Sequence, residues 1–334
     1  MTTVASILRR IVQRLGAGEK GVSQGKVFTA VFGKHPGWDD HIDDIGLDTD
    51  VLIAVKRALY IRGVGGNVDG GSWEKLEREQ QAVPFGHVFI WLMGPDIVVG
   101  RLWPSQDGKG RASYPMVVCV QCSRSPLPWV CDNVLPRLER IETACRNTMS
   151  PEEVRRIVGD AQNEFRQLTG AGESTSAPAR ADVHVLATLA RLPHLGPGRQ
   201  GLHRILYCLD RESALGGSGA DARQDSPPVA LRVPVVSPMA HAEVLLWVNF
   251  LRIRFGSEVP ILSLMPVRNA WVDTVIGMPT DAHLFCLRAS LNAMPLTTSI
   301  PYHMDPEFVA RVDQLVEDSL RETDDESGSD QPLG

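Results

Sequence analysis

Residues 87–103 read His-Val-Phe-Ile-Trp-Leu-Met-Gly-Pro-Asp-Ile-Val-Val-Gly-Arg-Leu-Trp, and their reading decides the fold. Two apolar runs, rich in β-branched and aromatic residues, flank a Gly94-Pro95-Asp96 turn. This is the pattern of a hairpin, His87–Met93 followed by Ile97–Trp103. Hairpin-joined strands pair antiparallel, whereas parallel strands need a long crossover. The expected fold class is therefore α+β: a largely antiparallel, mixed sheet flanked by helices, with a second α/β region.

Elements on either side of the hairpin support this. Lys26–Phe32 reads as a strand and Asp48–Arg62 as a helix, capped by Asp48 or Asp50 and stopped at Gly63. Residues 63–71, Gly-Val-Gly-Gly-Asn-Val-Asp-Gly-Gly, read as a flexible loop, and Trp73–Gln81 as a short helix. Pro115–Gln121 is a further strand, followed by helices over Pro128–Asn147 and Pro151–Leu168, the latter capped by Ser150. Later come strands Val229–Val236 and Val259–Met265, an apolar helix Met239–Phe255, weaker strands Trp271–Ile276 and His283–Leu287, and a helix Pro306–Leu320 capped by Asp305. Both halves run strand, helix, strands, helix, the order of a distant repeat or a coincidence of coarse boundaries.

Composition divides the chain further. Residues 1–24 hold an amphipathic basic helix, with Val4, Ile7, Leu8, Ile11, Val12 and Leu15 on one stripe and Arg9, Arg10 and Arg14 between them, and a linker. Residues 25–168 form one α+β domain, 169–180 a linker, 181–320 a C-terminal α/β region, and 321–334 an acidic disordered tail. A second linker composition runs from Gly216 to Pro228.

A net charge of −6 gives no reason to expect nucleic-acid binding. No apolar run approaches 18 residues, so no stable membrane insertion is expected. Six cysteines without a dense spacing pattern fit a reducing compartment, and the expected location is the cytoplasm. Nucleophile-elbow, phosphate-loop, dinucleotide and His-Glu-x-x-His signatures are missing, so no cofactor is expected. Cys119 and Cys122 are three apart on a strand and point to opposite faces, which works against chelation.

Two loops carry the chemistry. Residues 32–41 read Phe-Gly-Lys-His-Pro-Gly-Trp-Asp-Asp-His, and residues 100–116 expose Asp107, Lys109 and Arg111 between Trp103 and Tyr114. Aromatic and charged groups on a rigid strand connection suit recognition. The partner-binding set is Lys34, Trp38, Asp39 and Asp40 on the first loop, and Trp103, Asp107, Lys109 and Arg111 on the second. One alternative is a metal-dependent hydrolase with His35, Asp40, His41 and Asp44 as ligands. Another is structural: Lys34 and Asp40 brace a buried turn, while Trp38 and Trp103 pack in the core.

The two loops together resemble the TagF family, also called ImpM, associated with type VI secretion. Gly33, Lys34, Pro36 and Asp40 match a Gly-Lys-x-Pro-x-x-x-Asp-Phe motif, with His41 in place of the aromatic residue. Pro104, Ser105, Asp107, Gly110, Arg111 and Pro115 match a Pro-Ser-x-Asp-x-x-Gly-Arg-x-x-Pro segment, with one extra residue before Pro115. The resemblance covers roughly residues 25–150 and marks a divergent member. It implies a cytoplasmic, non-enzymatic, post-translational repressor that binds a forkhead-associated scaffold protein. Such domains read phosphothreonine, and Thr323 in Arg-Glu-Thr-Asp-Asp-Glu is the residue that this would single out.

Overall fold

The computed structural model describes residues 26–169, 185–214, 227–237 and 241–329. The amphipathic stretch near the N-terminus and most of both linkers lie outside those residues. The strands are β1 (Val27–Gly33), β2 (His87–Met93), β3 (Asp96–Pro104), β4 (Pro115–Ser123), β5 (Val229–Pro234), β6 (Ile261–Pro266) and β7 (Trp271–Ile276). They form one seven-stranded sheet in the order β1-β4-β3-β2-β6-β7-β5, antiparallel at each pairing. The fold is α+β, and the second half extends the first half's sheet.

The hairpin that decided the class is present. Met93 pairs with Asp96, leaving Gly94 and Pro95 as a two-residue connection with Gly94 at φ 62°. Positive φ at the first turn residue matches the twist of hairpin strands. The two halves share one feature of topology. In each half the opening strand pairs with that half's last strand: β1 with β4, and β5 with β7. The halves meet at β2 and β6.

Helices cover both faces, so the strands read as nearly continuous apolar runs instead of alternating. Val88, Ile90 and Leu92 join one core with the helices Leu135–Arg146, Pro151–Thr169, Gln200–Ala214 and His241–Phe255. Phe89 and Trp91 join a second core with Leu52, Leu59, Trp73 and Leu287. A one-residue slip of β2 would exchange these sets, so the register is fixed by side-chain size on each face. Cys119 and Cys122 enter opposite cores, as their spacing requires. All six cysteines are buried and none forms a disulfide, and burial pushes the Cys119 thiol up to about 12.

Several boundaries differ from the sequence reading. Thr49, not Asp48 or Asp50, caps the first helix by accepting the Leu52 N–H. Gly63 does not stop that helix. The chain passes from Asp50–Val55 into a π-helical stretch, Lys56–Gly65, and on to Asp69. Gly63 instead allows a close approach, since a Cβ there would lie 2.2 Å from Leu284 Cδ1. Residues 283–287 are helical turns, because Thr280 and His283 form a capping box. The helix expected over 128–147 is two, Leu127–Asn133 and Leu135–Arg146, with Pro136 in the first turn of the second. The last helix runs from Pro306 to Ser329, taking in most of the expected tail, including the backbone at Thr323.

One buried clip holds the second half together. Arg232 on β5 and Asp273 on β7 form a bidentate pair at 2.6 and 2.9 Å. Arg232 also donates to the carbonyls of Cys286, Ala289, Ser290 and Met294. It thereby pins the segment after β7 to the sheet edge. His87 is fully buried, and burial followed by the Arg232 charge lowers its pKa to about 3.

Candidate functional site

The site lies where β1 ends and where β3 leads into β4. Gly33, at φ 112°, lets the chain turn hard against β4, because a Cβ there would lie 2.3 Å from the Pro115 carbonyl oxygen. Positive φ favours glycine. The turn then carries Lys34 inward, where only 4% of its surface is exposed.

Lys34 meets Asp107, which is buried to 1% exposure, at 2.6 Å. Asp107 Oδ2 also accepts Arg111 Nε at 2.7 Å. Its Oδ1 accepts the backbone N–H groups of Lys109 and Arg111, each at 3.0 Å. Burial alone would raise this carboxyl. The Lys34 ammonium and the Arg111 and Lys109 hydrogen bonds overcome that effect and hold it well below the usual carboxylate range. A buried charge is tolerated when it is paired and hydrogen-bonded, and Asp107 has four donors. Backbone bonds add to the lock. Gly108 N–H donates to the Trp38 carbonyl at 2.6 Å, and Lys34 N–H to the Pro115 carbonyl at 3.2 Å.

What the lock leaves outside is a charged rim. Arg111 Nη2 reaches the Asp39 carbonyl at 2.9 Å and Asp40 Oδ1 at 3.2 Å. Lys109 stands 3.8 Å from Asp39. Side chains of Asp39, Asp40, Lys109 and Arg111 are all more than half exposed.

The eight residues expected to bind a partner therefore divide. Asp39, Asp40, Lys109 and Arg111 come together on the surface. Lys34 and Asp107 are buried and shape the loops instead of presenting a surface. Trp103, 2% exposed, packs in the sheet core with Arg146 over its ring. Trp38 is half-buried, with Arg155 5.3 Å over its ring and His35 edge-on at 5.5 Å. The bracing partner of Lys34 is Asp107 at 2.6 Å; Asp40 stands off at 3.8 Å.

The expected ligand set of a hydrolase does not converge. His35 is turned inward, and both ring nitrogens are engaged. Nε2–H donates to the Cys145 carbonyl at 3.0 Å, and Nδ1 accepts the Gly37 N–H at 3.0 Å. Burial lowers its pKa, against the backbone bonds to Cys145 and Thr148. This neutral imidazole staples the loop to the helix Leu135–Arg146 and has no lone pair left for an ion. His41 faces Tyr60 and Tyr114, and Asp44 is paired with Lys56. Among the described residues, no three His, Cys, Asp or Glu side chains are grouped to hold a metal.

Beside the rim is a cleft of about 380 Å³, walled by the β1 turn, the π-helical stretch and Tyr114. Sequence reasoning missed its principal residues, Lys56 and Tyr60. They read as ordinary positions of one helix, and nothing local marks where α gives way to π hydrogen bonding.

Among the described residues, no helix is long and apolar enough to cross a membrane. No protein-family model matches the chain, and no curated protein matches it. Among solved structures, it is similar to a crystal structure of PA0076 from Pseudomonas aeruginosa PAO1. That likeness is weak: the TM-score is 0.35 and the identity 12%, over 78% of this chain and 94% of that one.

Proposed function

We propose that the protein is a non-enzymatic cytoplasmic regulator, similar to TagF repressors of type VI secretion, which acts by binding a forkhead-associated scaffold protein. The observation that carries this reading is the Lys34–Asp107 lock. It joins the two segments on which the family resemblance rests and spends their buried charges on each other. It holds Asp39, Asp40, Lys109 and Arg111 outward as one rigid rim of both signs. A rim of that kind gives register and on-rate in protein recognition more than raw affinity.

The test is titration of the full chain with a purified forkhead-associated scaffold protein by calorimetry. Asp39→Lys combined with Asp40→Lys should weaken binding by roughly tenfold or more, with the melting temperature nearly unchanged. Unchanged affinity in that variant would rule the rim out as the docking surface.

A further inference from the structure

We infer that the cleft beside the rim is a receptor for a guanidinium group, the side chain of an arginine presented by the protein partner. This rests on the docking reading and names the chemistry that the partner must offer. Three rings cluster there: His41 meets Tyr60 edge-on at 5.8 Å and Tyr114 edge-on at 5.2 Å, and Tyr60 is tilted against Tyr114 at 5.6 Å. Two carboxylates, Asp44 and Asp69, line the same space, and Asp40 stands at its rim. Its one lysine, Lys56, is already tied to Asp44. With Asp44 tied to Lys56 and Asp40 to Arg111, the carboxylate left over is Asp69, which is hydrogen-bonded to Tyr114, and aromatic rings beside such a carboxylate attract cations and repel anions. Lys34 stands 5.8 Å over the Tyr114 ring, but its charge is matched by Asp107.

An independent observation points to a ligand. Tyr60 is 4% exposed and lines the cleft, yet its hydroxyl has no hydrogen-bond partner. A buried hydroxyl without a partner is costly, and native structures rarely leave one without cause. Burial, Tyr114, Asp40 and Asp44 all raise the Tyr60 pKa, which places the hydroxyl in the field of the carboxylates. The hydroxyl keeps its proton and can both donate and accept, and its oxygen is the atom that a cationic donor in the cleft would satisfy. The wall that carries it is the π-helical stretch Lys56–Gly65. Bonding from i to i+5 brings residues 56, 60, 61 and 65 to one side, and such segments are rare and concentrate at functional sites. A volume of about 380 Å³ is at the small end of ligand clefts, which span about 300–1,000 Å³. Guanidinium suits this site better than ammonium, because its plane stacks on rings while its edge donates several hydrogen bonds.

The full chain contains four tyrosines, so 3-fluorotyrosine labelling gives four fluorine resonances. Titrated methylguanidinium should shift the Tyr60 and Tyr114 signals saturably. Tyr207 and Tyr302, which pack together at 5.4 Å elsewhere, should stay still. Asp69→Asn and Tyr60→Phe should each weaken the response at least about fivefold. No saturable shift at tens of millimolar, equal shifts at all four tyrosines, or the same shifts with inorganic phosphate would overturn the assignment. N-acetyl-arginine amide should bind at least as well as free arginine; tighter binding of free arginine would instead make the occupant a small molecule and refute the partner. Tyr60→Phe should also weaken scaffold binding. If it does not while the rim reversal does, the cleft inference fails and the docking reading stands.

Discussion

Replacing Lys34 by Met keeps the buried stem and removes only the ammonium. Asp107, 1% exposed, then loses its shortest contact, 2.6 Å, but keeps the Arg111 guanidinium and two backbone N–H donors. Removing one partner from a buried ion pair typically costs about 3–5 kcal/mol when nothing else compensates. A single hydrogen bond to a charged group is worth about 1.5–3 kcal/mol. With three of the four donors retained, the expected loss is about 2–3 kcal/mol, nearer the second figure. With a urea dependence of about 3 kcal/mol per molar or more, the midpoint should fall by somewhat under 1 M. Arg111→Ala removes a side chain that is 53% exposed, and water can enter to take its place beside Asp107, so it should cost less than Lys34→Met. Equilibrium urea unfolding checks both. Combining Lys34→Met with Asp107→Asn should be non-additive by more than about 0.5 kcal/mol. Additive losses, or a Lys34→Met cost as small as that of Arg111→Ala, would refute the lock.

Acid should open the same lock. The Asp107 carboxyl is held below its ordinary value of 3.8, so its stabilisation is complete above roughly pH 4 and disappears as pH falls further. Asp107→Asn should flatten the stability profile in that range. His87 acts over a higher range, because its pKa falls from 6.5 to about 3 on folding. Below about pH 6.5 the unfolded chain takes up a proton that the folded chain refuses, so stability should decline toward pH 3, and less so in His87→Gln. Gly63→Val would force a side chain into Leu284 and should destabilise by about 1–3 kcal/mol, read in the same unfolding assay. Removing residues 321–334 should weaken scaffold binding if Thr323 takes part in docking; unchanged binding eliminates it.

Sequence patterning carried the class and most strands, because strand chemistry is local: the 87–103 hairpin and the 271–276 strand needed only β-branched and aromatic runs with turn residues, and the opposed cysteines only the two-residue period of a strand. Where it failed, the deciding contact was remote. Gly63 reads as a stop, yet its reason is Leu284, more than two hundred residues away. His35 looks like a ligand until Cys145 takes its Nε2–H. Asp107 looks like a surface charge, because its neighbour Lys34 comes from another strand end. The Lys34–Asp107 contact brings the two loops together, but which members turn inward depends on Gly33 and β4, and composition does not reveal that.

The β2–β6 seam has a consequence for synthesis. His87 pairs with Pro266 and Leu92 with Ile261, partners separated by 179 and 169 residues. Chains elongate at roughly 5–20 residues per second, so β6 follows β2 by about nine to thirty-five seconds. Throughout that interval the strand His-Val-Phe-Ile-Trp-Leu-Met can pair with β3 on one side while its other edge stays open. An open apolar edge of this kind is a template for pairing between nascent chains. The growing chain is therefore most vulnerable on the ribosome, with its first four strands made and the strand that seals them still untranslated.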